Sequence, residues 1–217
     1  LKEMHVYSWV ILTFQNLGIM QYVAKYYNQM YGLKFMDFYA EFLKYCRSKK
    51  SIFSEEYENL IEYIKTGYSE KGWYHFDSKL GDINWPIEEA SWLRLVSQKD
   101  ILFKDIYQFL INLDKKLGYN TSEEILKDLI AFQLFLLSTF DKNESKSENL
   151  KFNWKKFFTN ADTQLEKEHG TYLLKNQIIE SEYSEWCKKV MWHGRHHNSQ
   201  KSSIKEIKVN EMTINVK

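Results

Sequence analysis

Along the first two thirds of the chain, apolar side chains recur at three-and-four spacing, the repeat that gathers them on one face of an α-helix. Ile19, Tyr22, Val23, Tyr26, Tyr27 and Met30 make one such face. Phe35, Phe38, Tyr39, Phe42, Leu43 and Cys46 make the next, after a break at Gly32. A helical segment over residues 5–17 precedes both. Ser54 is expected to cap a third helix, with Glu55 and Glu56 in the first turn, where carboxylates complement the helix dipole. Tyr57, Leu60, Ile61, Ile64 and Tyr68 form its apolar face, and Gly67 and Gly72 close it.

Residues 72–86 read GWYHFDSKLGDINWP and carry no helical period. A loop so rich in aromatic and turn-forming residues is either packed onto its domain or shaped for a ligand. Pro86 stands where a helix should begin, since its missing N–H costs nothing there. Glu88 and Glu89 fall in that helix's first turn, with Trp92, Leu93 and Val96 behind them. Leu102, Ile106, Phe109, Leu110 and Leu113 mark the next helix, closed by Gly118 as a C-cap. Thr121 and Glu124 form the capping box of a further helix carrying Ile125, Leu126, Leu129, Ile130, Leu136 and Leu137.

The pattern changes after residues 141–149, a polar, charged and proline-free stretch. Leu150, Phe152 and Trp154 then alternate with polar residues, the period-two signal of a strand. Residues 171–179 suit a second strand and 184–192 a short helix. Ile207, Val209, Met212, Ile214 and Val216 alternate around Asn210 and Glu211, as in a terminal hairpin or an edge strand. The expected fold is therefore mainly α. An aromatic-rich, bundle-like helical domain over residues 1–140 carries a smaller strand-containing α+β segment over 141–217.

Composition narrows the function classes. Lys plus Arg is 30 and Asp plus Glu is 29, so no long-range field of one sign is expected. That balance argues against a dedicated nucleic-acid binder. The aromatic share of 17% is high and supplies large contact area with few rotatable bonds. Cys46 and Cys187 lie far apart without a CxxC pairing, and each falls in an amphipathic stretch. Two buried free thiols in a reducing, cytoplasmic setting are expected. No apolar run reaches the ~18–20 residues that span a bilayer. The chain starts with Leu1 rather than Met, and the expectation is a fragment of a longer polypeptide.

Several clusters invite a chemical reading. His193, His196 and His197 lie close enough in sequence to suggest a transition-metal site. Gly194 disfavours the helix that would align them, and no carboxylate stands at a matching spacing, so a basic surface turn is expected. Glu88 and Glu89 are adjacent and diverge by about a hundred degrees on a helix. Their service to the helix dipole explains both, and substrate contact is the alternative. Asp82 suits a turn-forming role. The tyrosine and phenylalanine stripe from Tyr22 to Phe42 has the spacing of core packing rather than of a stacking surface. Lys188, Lys189, Arg195 and Lys201, interleaved with Trp186 and Trp192, make a small basic-aromatic patch diluted by Glu180, Glu182 and Glu185. No phosphate-binding glycine loop, nucleophile elbow or zinc-protease helix is present.

Four segments in order carry a family resemblance: FMDFYAEF at 35–42, GDINWPIEE at 81–89, LKDLIAFQ at 126–133 and WCKKVMWHGR at 186–195. Together they resemble the C-terminal region of cobalamin-binding radical S-adenosylmethionine proteins of the methyltransferase type. The resemblance implies an enzyme with a 4Fe-4S cluster, S-adenosylmethionine and cobalamin, all held by upstream domains of the same polypeptide. The cluster's CxxxCxxC motif is absent here, so this chain is expected to be a non-catalytic accessory domain that caps the barrel and shapes the substrate pocket. Trp73, His75, Asp82, Trp85, Glu88 and Glu89 are the expected pocket-facing residues, followed by Trp192, His193 and Arg195. His193 and His196 depart from the family pattern, which has an aromatic and a lysine there. The rival reading is a free-standing helical module that binds a protein or RNA.

Overall fold

A computed structural model describes residues 1–69, 72–140, 143, 145–160, 164–175, 178–196, 207–209 and 212–214. For 192–196, 207–209 and 212–214 it describes the backbone alone. The architecture is mainly helical with a small antiparallel sheet towards the C-terminus. Among the described residues no helix is long and apolar enough to cross a membrane. The chain divides into two compact units, residues 1–121 and 122–217.

Among the described residues, the regular elements of the first unit are helices. Helix α1 (Lys2–Val10) runs directly into a π-helical segment, Ile11–Asn16. The helix expected over 5–17 is thus two pieces. The wider coil brings the Thr13 hydroxyl to the Glu88 carbonyl at 3.2 Å and lets Gln15 Oε1 accept from the Tyr39 hydroxyl at 2.7 Å. Helix α2 (Gln21–Tyr31) stops at Gly32, whose φ of 67° is left-handed and cheap only for glycine. Helices α3 (Phe35–Ser48), α4 (Ile52–Gly67), α5 (Ile87–Val96) and α6 (Lys99–Leu117) follow. The cap of α4 is Ser51, not Ser54. Ser54 occupies the third position, where its Oγ accepts from the Ser51 N–H while Ser51 Oγ accepts from Ser54 N. Two serines three residues apart offer the same signal, and the extended backbone of Ser51 makes it the cap.

Aromatic rings fill the centre of this unit. Phe14 meets Phe42 at 4.6 Å and Phe42 meets Phe53 at 5.0 Å, both edge to face, the arrangement that ring quadrupoles favour. Tyr26, Tyr27, Phe38, Tyr39 and Phe42 are all buried, so the aromatic stripe is core. Cys46 is a buried free thiol, and burial pushes its pKa up and away from reactivity.

The second unit opens with α7 (Glu123–Leu136), capped by Ser122 rather than by Thr121. The Thr121 hydroxyl instead hydrogen-bonds the Tyr31 phenol at 2.8 Å. Strand β1 (Ser145–Phe152), helix α8 (Trp154–Thr159), strand β2 (Lys167–Lys175), helix α9 (Tyr183–His196) and the short strands β3 (Ile207–Val209) and β4 (Met212–Ile214) complete it. The strands lie in sequence order, each antiparallel to the next, and β3 with β4 forms the expected hairpin.

Asp128 ties α7 to the sheet within the second unit. The β1–β2 register breaks between Leu150 and Phe152. Asp128 reaches from α7 into that irregularity and accepts from Lys151 N at 2.9 Å, Phe152 N at 3.2 Å and Trp154 Nε1 at 2.8 Å. Phe132, on the same helix, stacks against Trp154 and Phe158. Strand β1 begins at Ser145, inside the polar stretch 141–149, and Trp154 opens a helix instead of prolonging the strand. Asn153 accepts from Lys156 N at 2.9 Å and sets that turn. Helix α9 runs through Gly194, so the glycine does not stop it; His197 lies outside the described residues.

Candidate functional site

Between α4 and α5 the chain makes the loop that the sequence marks as irregular, and this loop is closed at its neck. His75 N donates to Asn84 Oδ1 at 2.7 Å, Trp85 N donates to the His75 carbonyl at 3.0 Å, and Phe76 bridges Asn84. Asp77 turns the tip: its Oδ1 accepts from Lys79 N at 3.0 Å, and its carbonyl accepts from Leu80 N at 2.9 Å. Asp77 is a side-chain turn former of this loop; Asp82 lies exposed further along it. Leu80 and Trp85 are buried and plug the loop onto the unit.

The loop is braced from below by charge. Arg94, on α5, forms a two-point ion pair with Glu56 on α4, both contacts at 2.7 Å. Glu56 is 5% exposed, a burial that a carboxylate tolerates only with a partner of this geometry. The remaining face of the guanidinium turns to the loop. Its Nη1 donates to Asp77 Oδ2 at 3.2 Å and lies 2.9 Å from His75 Nε2. A guanidinium has donors only, so His75 Nε2 is the acceptor and the imidazole is neutral. Burial and then the charge of Arg94 lower the His75 pKa from the ordinary 6.5, against the opposing charges of Asp77 and Glu56.

Above the brace the loop turns aromatic side chains outwards. Trp73 is 40% exposed, Tyr74 58% and Phe76 47%, large aromatic groups that folding has left partly in water. Trp73 is nonetheless fixed. Its ring meets His5 at 4.8 Å, Tyr68 at 5.1 Å and Tyr63 at 5.3 Å. It also lies so close over Gly67 that a Cβ there would fall 2.3 Å from the indole. Gly67 is therefore the seat of a tryptophan as well as a helix end. Burial and the charge of Glu88 raise the pKa of the adjoining Tyr63 phenol.

The expected site residues thus separate. Trp73 and His75 belong to the braced loop, Asp82 is exposed on it, and Trp85 lies beneath it. The Trp85 indole Nε1 is buried with no acceptor among the described residues. Glu88 and Glu89 are half-buried in the first turn of α5. Trp192, His193 and Arg195 fall in the last turns of α9, where only the backbone is described. Glu56, Tyr63, Asp77 and Arg94 were not foreseen. Glu56 was the legible one, since it precedes Leu60 and Ile64 by four and eight residues on the apolar face of its helix. Among the described residues, no three of His, Cys, Asp and Glu could hold a metal ion; the cation amid Glu56, His75 and Asp77 is Arg94. Cys46 and Cys187 are both buried and do not fit an iron-sulfur cluster. No protein-family model and no curated protein matches the sequence.

Proposed function

We propose that this chain is a non-catalytic accessory unit that uses its aromatic loop to close over an apolar surface. In the reading the family resemblance supports, that surface is the substrate chamber of a cobalamin-dependent radical S-adenosylmethionine enzyme of the methyltransferase type. Upstream domains of the same polypeptide would hold the 4Fe-4S cluster, S-adenosylmethionine and cobalamin. The cofactors supply the radical and the methyl group; the residues here exclude water from the chamber and shape its wall. One observation carries the proposal: Trp73, Tyr74 and Phe76 are presented to solvent on a loop held by a buried ion pair. Solvent-facing aromatics held in place have already lost the freedom that binding would otherwise remove, which favours association.

The native gene product, purified without oxygen, tests this directly. About four irons per chain and a cobalamin absorption band are expected, the stoichiometry of one cubane cluster. Trp73→Ala should then weaken substrate turnover while leaving cluster and cobalamin content unchanged. A colourless, iron-free product would overturn the enzyme reading. It would leave the same loop as the contact face of a helical interaction module, because exposed aromatics serve a protein partner equally well.

A further inference from the structure

We infer that His75 is a proton-operated latch that holds the aromatic loop against α5 while neutral and releases it when protonated. This inference concerns the regulation of the loop proposed above as the docking face, and in that sense rests on that reading. Its geometry comes from four groups. Glu56 on α4 gives both carboxylate oxygens to Arg94, so it has little left to offer an imidazolium. Arg94 on α5 points Nη1 at His75 Nε2 and at Asp77 Oδ2. Asp77 sits on the same loop two residues from His75. Tyr63 on α4 presents its ring edge-on to the imidazole at 6.2 Å.

One proton changes the balance. Placed on Nε2, it sets an N–H against the guanidinium N–H 2.9 Å away and puts two cations in contact. The new imidazolium also competes with Arg94 for Asp77. Both side-chain ties from the loop to α5 therefore weaken together, while the two-point Glu56–Arg94 pair is kept. Tyr74 and Phe76 flank His75 and follow it, because its N–H and C=O are the neck of the loop, while Trp73 keeps its seat over Gly67. The lowered pKa of His75 places the event on the acid side of 6.5.

Hydrogen exchange of the full 217-residue chain, corrected for the intrinsic pH dependence, tests the latch. Protection of the His75 and Trp85 amides should fall about tenfold per pH unit from 6.5 down to the folded His75 midpoint, the slope of one linked proton. In His75→Gln, whose carbonyl accepts from Arg94 without titrating, protection should stay flat over the same range. A flat wild-type profile, or an equal fall in the variant, would overturn the latch. Should the variant fail to fold, nitrogen NMR of the wild-type imidazole decides. The latch needs an unprotonated Nε2 and a midpoint below 6.5, and a protonated Nε2 at neutral pH rules it out. No partner is present in either experiment, so a failed latch leaves the docking proposal standing, and the reverse holds too.

Discussion

Glu56 in the first unit and Asp128 in the second are both buried carboxylates, and they are satisfied in different ways. Asp128 in the second unit is met by N–H donors, two from the backbone and one from an indole. Glu56 in the first unit is met by a guanidinium, which also holds a loop through His75 and Asp77. The Asp128 donors do not titrate in the range where proteins work, and their acceptor fixes a break in a strand. The Glu56 network includes an imidazole that does titrate there, and it holds a loop whose aromatic side chains face water. One carboxylate makes a permanent joint; the other anchors a joint that a proton can loosen.

Removing the permanent joint should cost most. Asp128→Ala leaves buried backbone and indole donors unmet, at about 1–3 kcal/mol for each unsatisfied group. A loss of about 4 kcal/mol in chemical denaturation is expected, with the exchange protection of the 72–86 loop unchanged. If that loop loosened as well, the contrast between the two joints would fail. Glu56→Ala comes next. It strands a mostly buried guanidinium, at about 2–3 kcal/mol once the partial exposure of Arg94 is allowed for. Here the loop amides of His75 and Trp85 should lose protection. Glu56→Gln, which keeps an acceptor, should lose less.

Gly67→Ala sharpens the picture with a smaller effect. Alanine favours a helix by about 1 kcal/mol over glycine, but the added Cβ collides with the Trp73 ring. The two nearly cancel in global stability, and the Trp73 indole is displaced, which a shift in its NMR signals would report. Unchanged Trp73 signals would mean that the seat is looser than described. The smallest expected effect is on acid stability. The folded pKa of His75 lies below the unfolded value, so the folded state binds fewer protons and its advantage is present above 6.5. That advantage is lost as pH falls through the folded midpoint. His75→Gln should flatten the dependence of the melting temperature on pH in this window.

Local signals made the helices legible, and long-range partners decided the rest. The three-and-four spacing of Phe38, Phe42 and Cys46 fixes a helix face regardless of what covers it. Gly32 and Gly118 mark C-caps because φ near +70° is a property of one residue. The choice of Ser51 over Ser54 turns on which serine has extended backbone ahead of the first turn, and that of Ser122 over Thr121 on which hydroxyl reaches a backbone N–H; spacing distinguishes neither. The division of the compact units at 121/122 was not legible, because the bonds from Asp128 to residues 151–154 join positions more than 20 apart in sequence. The aromatic loop was visible from its composition, whereas its brace was not. Glu56 and Arg94 are 38 residues apart and meet only when α4 and α5 pack. Each looks like an ordinary surface charge until the apolar phase of its helix is followed.

The central claim is that the Trp73–Tyr74–Phe76 face is covered in the native assembly. Hydroxyl-radical footprinting of the native gene product, set against the isolated 217-residue chain, measures that coverage side chain by side chain. The account predicts that Trp73, Tyr74 and Phe76 are oxidised several-fold less in the native product, while the exposed Met36 on α3 is labelled equally in both. Equal labelling of the three aromatics would contradict it.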